Sequence, residues 1–205
     1  EPLLDALVRR QFLEVESNRL AGEFGWYSFA QDAVRQVAYS MLARRDRRAA
    51  HLAVAEALAV TDAPAELPML AQHLVAAAEA VPGEPDVPAL RARAAEAFDA
   101  ASEWALGLGS WRDAIAHVER ALELVDDPAD QVRLLCRIAL ASQSSGDWNK
   151  GVTAGGEAID LAREAEDEVG ETLAAGLTGF LMVRQNRYGD AVDLVRPYWD
   201  QFKDR

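Results

Sequence analysis

The chain carries few side chains of the kinds that perform catalysis or bind metals. Its only thiol is Cys136, and its three histidines, His51, His73 and His117, lie far apart in the sequence. Metal and nucleophilic sites bring His, Cys or carboxylate groups together, often at short sequence spacing, and no second His or Cys follows these residues at such spacing. We therefore expect no metal site, and we interpret Cys136 as an inert buried thiol because no neighbour in sequence would lower its pKa.

Motifs for phosphate binding and acyl transfer are also absent. The phosphate loop G-x-x-x-x-G-K-[ST] does not occur, and no Ser, His and Asp set or pair of catalytic carboxylates stands out. We expect the chain itself not to be an enzyme and to hold no cofactor.

Four arginines surround Asp46 in the string Arg44-Arg45-Asp46-Arg47-Arg48. Such a cluster could contact the phosphates of a nucleic acid. Because Asp46 interrupts a run of only four cations, we favour a solvated turn between two helices, with the arginines paired to acidic groups elsewhere.

The formal net charge of −13 at pH 7 is unevenly distributed. Residues 1–60 hold eight basic and eight acidic residues, so the whole excess lies in residues 61–205. An acidic body of this size repels a phosphate backbone, whose binding depends on clustered cations. We therefore expect no nucleic-acid binding by the larger part of the chain.

Composition indicates a folded protein with a sizeable core, since 50% of the 205 residues are hydrophobic. The apolar runs are interrupted by Glu, Arg or Asp, so no segment is expected to span a bilayer. A single cysteine suits a reducing compartment, and we expect a cytoplasmic location. The opening Glu1-Pro2 looks like a boundary inside a longer protein.

Residues 1–60 mix helical and strand patterns. Apolar side chains first recur at helical spacing and then alternate over residues 12–16, Gly22 and Gly25 allow a turn, and residues 26–29 supply a second strand. Two helices follow. This order is typical of the C-terminal part of a winged-helix subdomain with one β-hairpin.

The strand signal disappears beyond residue 60. Residues 61–87 indicate a helix and a linker, and residues 88–205 indicate helical repeats, so the fold is predicted to be mainly α. The breaks at Pro, Gly, Asp and Asn predict seven helices, over residues 67–80, 88–107, 111–125, 129–145, 148–165, 168–185 and 188–203.

An aromatic residue begins three of these helices at intervals of 37 and 40 residues, and a small residue follows three places later. The aromatics are Trp111, Trp148 and Tyr188. An aromatic in this position fills the gap between helix pairs, and the small residue permits close approach, so about three stacked pairs are predicted. The string from Trp111 resembles the second helix of a tetratricopeptide (TPR) repeat, which implies an α-solenoid. Pro197 marks a departure in the last unit, for which we expect a kinked or capping helix.

The TPR resemblance implies a groove lined by the first helix of each pair. We expect this groove to bind a protein or peptide with a basic patch, or domains of the same protein. The alternative is that its residues are merely solvated or pack on neighbouring repeats. By resemblance the groove contains Glu96, Asp99 and Glu103 from the first unit, Arg133, Gln143 and Ser144 from the second, and Phe180, Val183 and Arg184 from the third.

The string from Trp26 to Leu58 (WYSFAQDAVRQVAYSMLARRDRRAAHLAVAEAL) resembles the end of the winged-helix subdomain in STAND-type signalling ATPases. More narrowly, it is similar to bacterial class III adenylate/guanylate cyclases with an ATPase module and a TPR tail. The resemblance implies a non-catalytic regulatory piece, with ATP or ADP bound by an ATPase domain outside this chain. A STAND-type transcriptional regulator, direct DNA binding by the winged helix, and self-association through the Trp199–Phe202 end remain alternatives.

In that class a His-Asp pair begins the helix after the hairpin, and its histidine reads the diphosphate of the bound nucleotide. The matching residues here are Gln31 and Asp32. Gln31 can donate a hydrogen bond to a phosphate but cannot carry a charge. Asp32 is predicted to cap the helix, and the resemblance adds nucleotide sensing in the full-length protein as the second interpretation.

Overall fold

A computed structural model describes residues 2–16, 26–61 and 63–202. Within these residues the chain forms a two-stranded sheet, a short 3-10 helix (Pro64–Glu66) and ten α-helices. The strands are β1 (Leu13–Glu16) and β2 (Trp26–Phe29). The helices are α1 (Pro2–Arg9), α2 (Asp32–Met41), α3 (Arg44–Thr61), α4 (Leu67–Ala80), α5 (Val87–Gly107), α6 (Trp111–Leu122), α7 (Pro128–Ser145), α8 (Trp148–Glu164), α9 (Glu168–Arg184) and α10 (Tyr188–Phe202).

Helix α1, the β1–β2 hairpin and helix α2 form a small N-terminal unit with very little core. The strands pair antiparallel, with Leu13 opposite Phe29 and Val15 opposite Tyr27. Among the described side chains of residues 2–42, only Leu13 is buried. The hairpin predicted from residues 12–16 and 26–29 is confirmed, whereas the turn predicted at Gly22 and Gly25 lies outside the described residues.

The remaining helices form a TPR-like α-solenoid in which each helix packs on the next along the chain. The seven helices predicted between residues 67 and 203 are all present, and α10 runs through Pro197. The array also begins earlier than the aromatic spacing indicated, because α3 packs antiparallel on α4, with Arg48 close to Ala77 and His51 close to His73. The described residues therefore contain four helix pairs, α3–α4, α5–α6, α7–α8 and α9–α10.

Small residues let neighbouring helices approach closely. Alanine supplies more than half of the buried apolar residues. A Cβ added at Gly155 of α8 would lie 2.1 Å from Oγ1 of Thr178, and one added at Gly151 would lie 2.7 Å from Cδ1 of Leu181, both on α9. Gly156, the next residue along α8, has no such neighbour within 4 Å. Two glycines of α8 are thus required by the packing of α9, and the third is not.

Arg48 connects three segments at the start of the array. Its guanidinium donates to both carboxylate oxygens of Asp86, each at 2.6 Å, and to the carbonyl of Ala77 at 3.0 Å. The Ala77 carbonyl belongs to the last turn of α4, where carbonyls lack intrahelical partners and a positive charge is favourable. The sequence predicted an exposed turn at Arg44–Arg48. This prediction is wrong, because α3 already begins at Arg44 and Arg48 is buried.

We expect Arg48→Ala to lower the free energy of unfolding by about 2 kcal/mol, because it removes the ion pair with Asp86 and leaves the buried carbonyl of Ala77 without its partner. Urea unfolding followed by circular dichroism would measure the change. Arg45→Ala, at an exposed position of the same helix turn, should change it by less than about 0.5 kcal/mol. Equal effects of the two substitutions would contradict the assigned role of Arg48.

The three glycines of α8 allow a second, internally controlled test. Gly155→Ala should cost about 2 kcal/mol, because the new methyl group overlaps Thr178 and α9 must move. Gly156→Ala should instead stabilise by up to about 1 kcal/mol, since it meets no neighbour and alanine is the better helix former. Thermal unfolding of both variants would measure the difference, and the same sign for both would show that α9 does not pack as described.

Candidate functional site

The residues predicted to start the groove form an ion-pair network between two first helices. Asp99 and Glu103 lie one turn apart on α5, and Arg133 and Arg137 lie one turn apart on α7. Arg133 contacts Asp99 at 2.5 Å, and Arg137 contacts Glu103 at 2.7 Å and the second oxygen of Asp99 at 3.2 Å. The structure therefore brings three of the predicted groove residues together and adds Arg137.

This network changes the electrostatic interpretation of the predicted groove. The first unit was predicted to contribute three carboxylates to the groove, but those of Asp99 and Glu103 face two arginines of the next repeat. Sequence analysis did not include Arg137 among the groove residues, although its spacing could have indicated it. Arg133 and Arg137 lie one helical turn apart, as do Asp99 and Glu103, so each pair shares a helix face. What the sequence could not supply is the register between α5 and α7. The ion pairs hold adjacent first helices together, and a charged ligand entering here would have to compete with them.

The remaining groove residues fall into two further groups. Glu96 and Ser144 are exposed and Gln143 is half-buried, with no ion pair or hydrogen bond to their side chains among the described residues. The guanidinium of Arg184 lies 5.3 Å from the ring centre of Trp148, in a cation–π contact that joins α9 to the aromatic at the start of α8. Arg184 thus has a structural role within the array.

Phe180 and Val183 contribute to a different surface, the apolar cleft between α9 and α10. This cleft has a volume of about 460 Å³, and its other principal walls are Val192, Val195 and Trp199 of α10. Among the described residues that line it, Arg196 is the one that carries a charge. Sequence analysis placed Phe180 and Val183 on the groove by analogy, and it did not identify the α10 residues as part of the same surface.

Asp32 is not the N-cap of α2. Gln31 occupies the cap position and its side chain makes no capping hydrogen bond. Asp32 is the first helical residue, and its carboxylate accepts hydrogen bonds from Arg35 Nε at 2.7 Å and from Gln36 Nε2 at 3.2 Å. The hydrogen bond from Arg35 and its positive charge lower the pKa of Asp32. Both side chains are exposed to solvent at the N-terminus of α2.

Three polar rings connect α2 to the array. Tyr39 of α2 contacts Nε2 of His51 on α3 at 2.9 Å, and Nδ1 of His51 lies 2.8 Å from Nδ1 of His73 on α4. The two Nδ1 atoms can share a hydrogen bond only when one ring donates and the other accepts. Arg47 stacks over the ring of Tyr39, at 5.2 Å from its centre. The histidines that seemed scattered along the sequence include a pair in direct contact.

The imidazoles are held in their neutral forms by their surroundings. Burial lowers the pKa of His51, with further contributions from His73 and Arg47, and burial also lowers the pKa of His73. Burial also lowers the pKa of His117, against a smaller opposing effect of the Asp113 charge, and its ring stacks on Phe98.

Cys136 is buried in α7, as expected, and burial raises the pKa of its thiol to about 11. A thiol with this pKa is almost entirely protonated near neutral pH and is a poor nucleophile or metal ligand.

Within residues 2–16, 26–61 and 63–202, no group of three or more His, Cys, Asp or Glu side chains is arranged to hold a metal ion. No helix in the described part of the chain is both long enough and apolar enough to cross a bilayer.

These features define the class of the protein as a TPR-like α-solenoid with a small helix–hairpin–helix unit at its N-terminus. No protein-family model and no curated protein matches the chain. The solved structures to which the chain is similar include two of MamA. "MamA 41-end from Desulfovibrio magneticus RS-1" is 17% identical with a TM-score of 0.42, covering 78% of this chain and 97% of that chain. "MamA RS-1 ArsTM double mutant" is 18% identical with a TM-score of 0.40, covering 77% and 98% respectively.

The histidine pair predicts a loss of stability in mild acid. A base whose pKa is lowered by folding stabilises the native state above its unfolded pKa, about 6.5, and this contribution is lost as the pH falls through that value toward the folded pKa. The midpoint temperature of thermal unfolding should therefore be lower at pH 5.5 than at pH 8. In the variant His51→Gln/His73→Gln this decrease in the unfolding temperature should be smaller. The part that remains is the contribution of His117. An unchanged pH dependence in the double variant would contradict this assignment.

Proposed function

We propose that the chain is a non-catalytic protein-interaction piece of a larger cytoplasmic regulatory protein. In this proposal the helical array binds a protein or peptide, and the N-terminal unit attaches the array to a further domain. The observation that carries the proposal is the apolar surface of the N-terminal unit, which nothing in the described part of the chain covers.

Helix α2 presents the clearest part of this surface. Val37 is 60% exposed and Met41 is 81% exposed, and the hairpin residues Val15, Tyr27 and Phe29 are each between 42% and 48% exposed. Single exposed apolar side chains are common on soluble proteins, but several on a unit with almost no core of its own mark a surface that contacts another domain or protein.

We propose an ATPase module as the neighbouring domain, on the basis of the resemblance carried by residues 26–58. The exposed Gln31 side chain, which can donate a hydrogen bond, stands at the N-terminus of α2, where backbone N–H groups favour an anion such as a diphosphate. The Asp32 carboxylate beside it is paired with Arg35. Tyr39, on the same helix, contacts His51 of the array. A partner that shifts α3 could therefore move α2 relative to the nucleotide, which is a route for regulation in a nucleotide cyclase of this class.

The alternatives are favoured less by the described contacts. A STAND-type transcriptional regulator would use the same module, and only sequence outside residues 1–205 separates it from a cyclase. Direct DNA binding requires free cations in the Arg44–Arg48 cluster, but Arg48 is buried against Asp86 and Arg47 stacks on Tyr39. Self-association remains a separate outcome that light scattering would detect.

Two substitutions on α2 test the proposal. Val37→Glu/Met41→Glu should leave the free energy of unfolding of the 1–205 chain within about 1 kcal/mol, because both side chains are largely exposed. In the protein that contains the flanking sequence, the same double change should weaken nucleotide binding by at least about tenfold, since charges would be buried against the neighbouring domain. Isothermal titration with ATP and ADP would measure it.

Val60→Glu is the matched control, because Val60 is also an exposed apolar residue but lies at the end of α3. Equal nucleotide affinities for the control and the α2 variant would reject the docking of α2. The complete reading frame provides an independent check, since the absence of a G-x-x-x-x-G-K-[ST] loop outside residues 1–205 would reject the ATPase connection.

A further inference from the structure

A polar cleft lies where α2, α3 and α4 meet, and the inference drawn from it does not depend on the role proposed for α2 or on an ATPase domain. Its volume is about 470 Å³. Tyr39 of α2 and the arginines Arg44 and Arg47 of α3 line it together with Glu79 of α4. Sites for small organic ligands typically have volumes of about 300 to 1,000 Å³, so the cleft is large enough for such a ligand.

Helical spacing explains why two of the four arginines in the Arg44–Arg48 cluster line the cleft. Arg44 and Arg47 are three residues apart and therefore share a face of α3, whereas Asp46 projects from another side of the helix. Arg48 is buried against Asp86. The aspartate that interrupts the cluster in the sequence therefore does not separate the two charges that meet at the cleft.

Neither of these two guanidinium groups is neutralised by the described part of the chain. The arginines of α2 and α3 that form ion pairs there are Arg35 and Arg48. Arg47 instead stacks over the ring of Tyr39, and its Nε is buried without a hydrogen-bond partner. Because buried donors in native proteins are normally satisfied, this arrangement points to an acceptor that the described residues do not supply.

We propose that this cleft binds a small phosphate ester, with its phosphate group between Arg44 and Arg47 and the body of the ligand over Ala76 and Ala80 of α4, which also line the cleft. The terminal oxygens of a phosphate ester can be shared by two guanidinium groups, whereas a carboxylate is filled by one bidentate arginine. The cleft is larger than a phosphate ion, which leaves room for a sugar or a body of similar size.

Glu79 limits which anions fit the cleft. Its carboxylate belongs to the same lining, near the C-terminal end of α4, where backbone carbonyls carry partial negative charge. The charged side chains that line the cleft are thus two positive and one negative, which favours a single phosphate group over a polyphosphate or a nucleic acid. A body with hydroxyl groups suits this part of the cleft, because the Glu79 carboxylate accepts hydrogen bonds.

Four compounds test the proposal on the full 1–205 chain at constant ionic strength: ribose 5-phosphate, AMP, ribose and adenosine. Isothermal titration should show at least one of the two esters binding at least about tenfold more tightly than the same compound without phosphate. Comparison of the two esters distinguishes a sugar phosphate from a nucleotide. Equal binding with and without the phosphate group, or no binding of either ester, would overturn the proposal.

Substitutions in the cleft locate the phosphate group. Arg44→Ala and Arg47→Met should each weaken ester binding by about tenfold, and methionine keeps an apolar stem against Tyr39. Arg45→Ala, in the same helix turn but outside the cleft lining, should change the affinity by less than about twofold. Glu79→Gln should tighten binding by about threefold, because it removes a like charge and keeps an acceptor. Circular dichroism should show unchanged helix content in all four variants.

The ring of His51 provides a second readout. Burial lowers its pKa, and the charges of His73 and Arg47 add to this effect. An anion bound to Arg47 offsets that positive charge, so saturation with the ester that binds should raise the pKa of His51. NMR titration of the imidazole signals would measure it, with His117, which stacks on Phe98 in the array, as the unaffected control.

Three results would place the ligand elsewhere and contradict the proposal. A loss of affinity in Gln31→Ala as large as that in Arg47→Met would locate the phosphate at the N-terminus of α2. Equal effects of Arg44→Ala and Arg45→Ala would indicate diffuse attraction to the arginine cluster. Tighter binding of a short DNA duplex than of either ester would identify nucleic acid as the ligand.

Discussion

The close approach of neighbouring helices is the constraint on which the array depends. At the third place after each initial aromatic the chain has Ala114, Gly151 or Ala191, and all three are buried. A larger side chain there would hold the next helix away and open the core to water, at a cost that grows with the volume of the gap. The alanine-rich core is thus a condition for stacking helix pairs, and the larger apolar residues are arranged around it.

Much of the fold could be predicted from the helix-breaking and helix-capping residues in the sequence. Helix boundaries between residues 67 and 203 were predicted closely because Pro, Gly, Asp or Asn stands at each break, and Asp127, Asp147 and Asp167 cap α7, α8 and α9. The α3–α4 pair was not recognised as part of the array, since neither helix begins with the aromatic that marks the later units. The cap of α2 was misplaced by one residue for a similar reason: Asp32 is a good capping residue, but its side chain bonds Arg35 within the first turn.

The candidate surfaces were predicted less completely, because they depend on which faces meet. Sequence spacing put Asp99 and Glu103 on one face of α5, and Arg133 on a face of α7, but not in contact with one another. It placed Phe180 and Val183 correctly on α9 without indicating that α10 completes an apolar cleft around them. It also treated His51 and His73 as unrelated, since their contact requires the antiparallel packing of α3 on α4. Each of these pairings is a property of helix register, which a single sequence does not specify.

Ion pairs connect adjacent repeats on both sides of the array. Arg133 and Arg137 join α7 to α5 on the first-helix side, and Lys150 of α8 joins Glu119 of α6 on the second-helix side, at 2.6 Å. These ion pairs add to the packing of the small residues in holding neighbouring repeats together, and dissolved salt weakens them. A bound partner that replaces the ion pairs on the first-helix side only would leave those on the other side intact. Such a partner would loosen the contact between the first helices α5 and α7 while the second helices α6 and α8 stay joined.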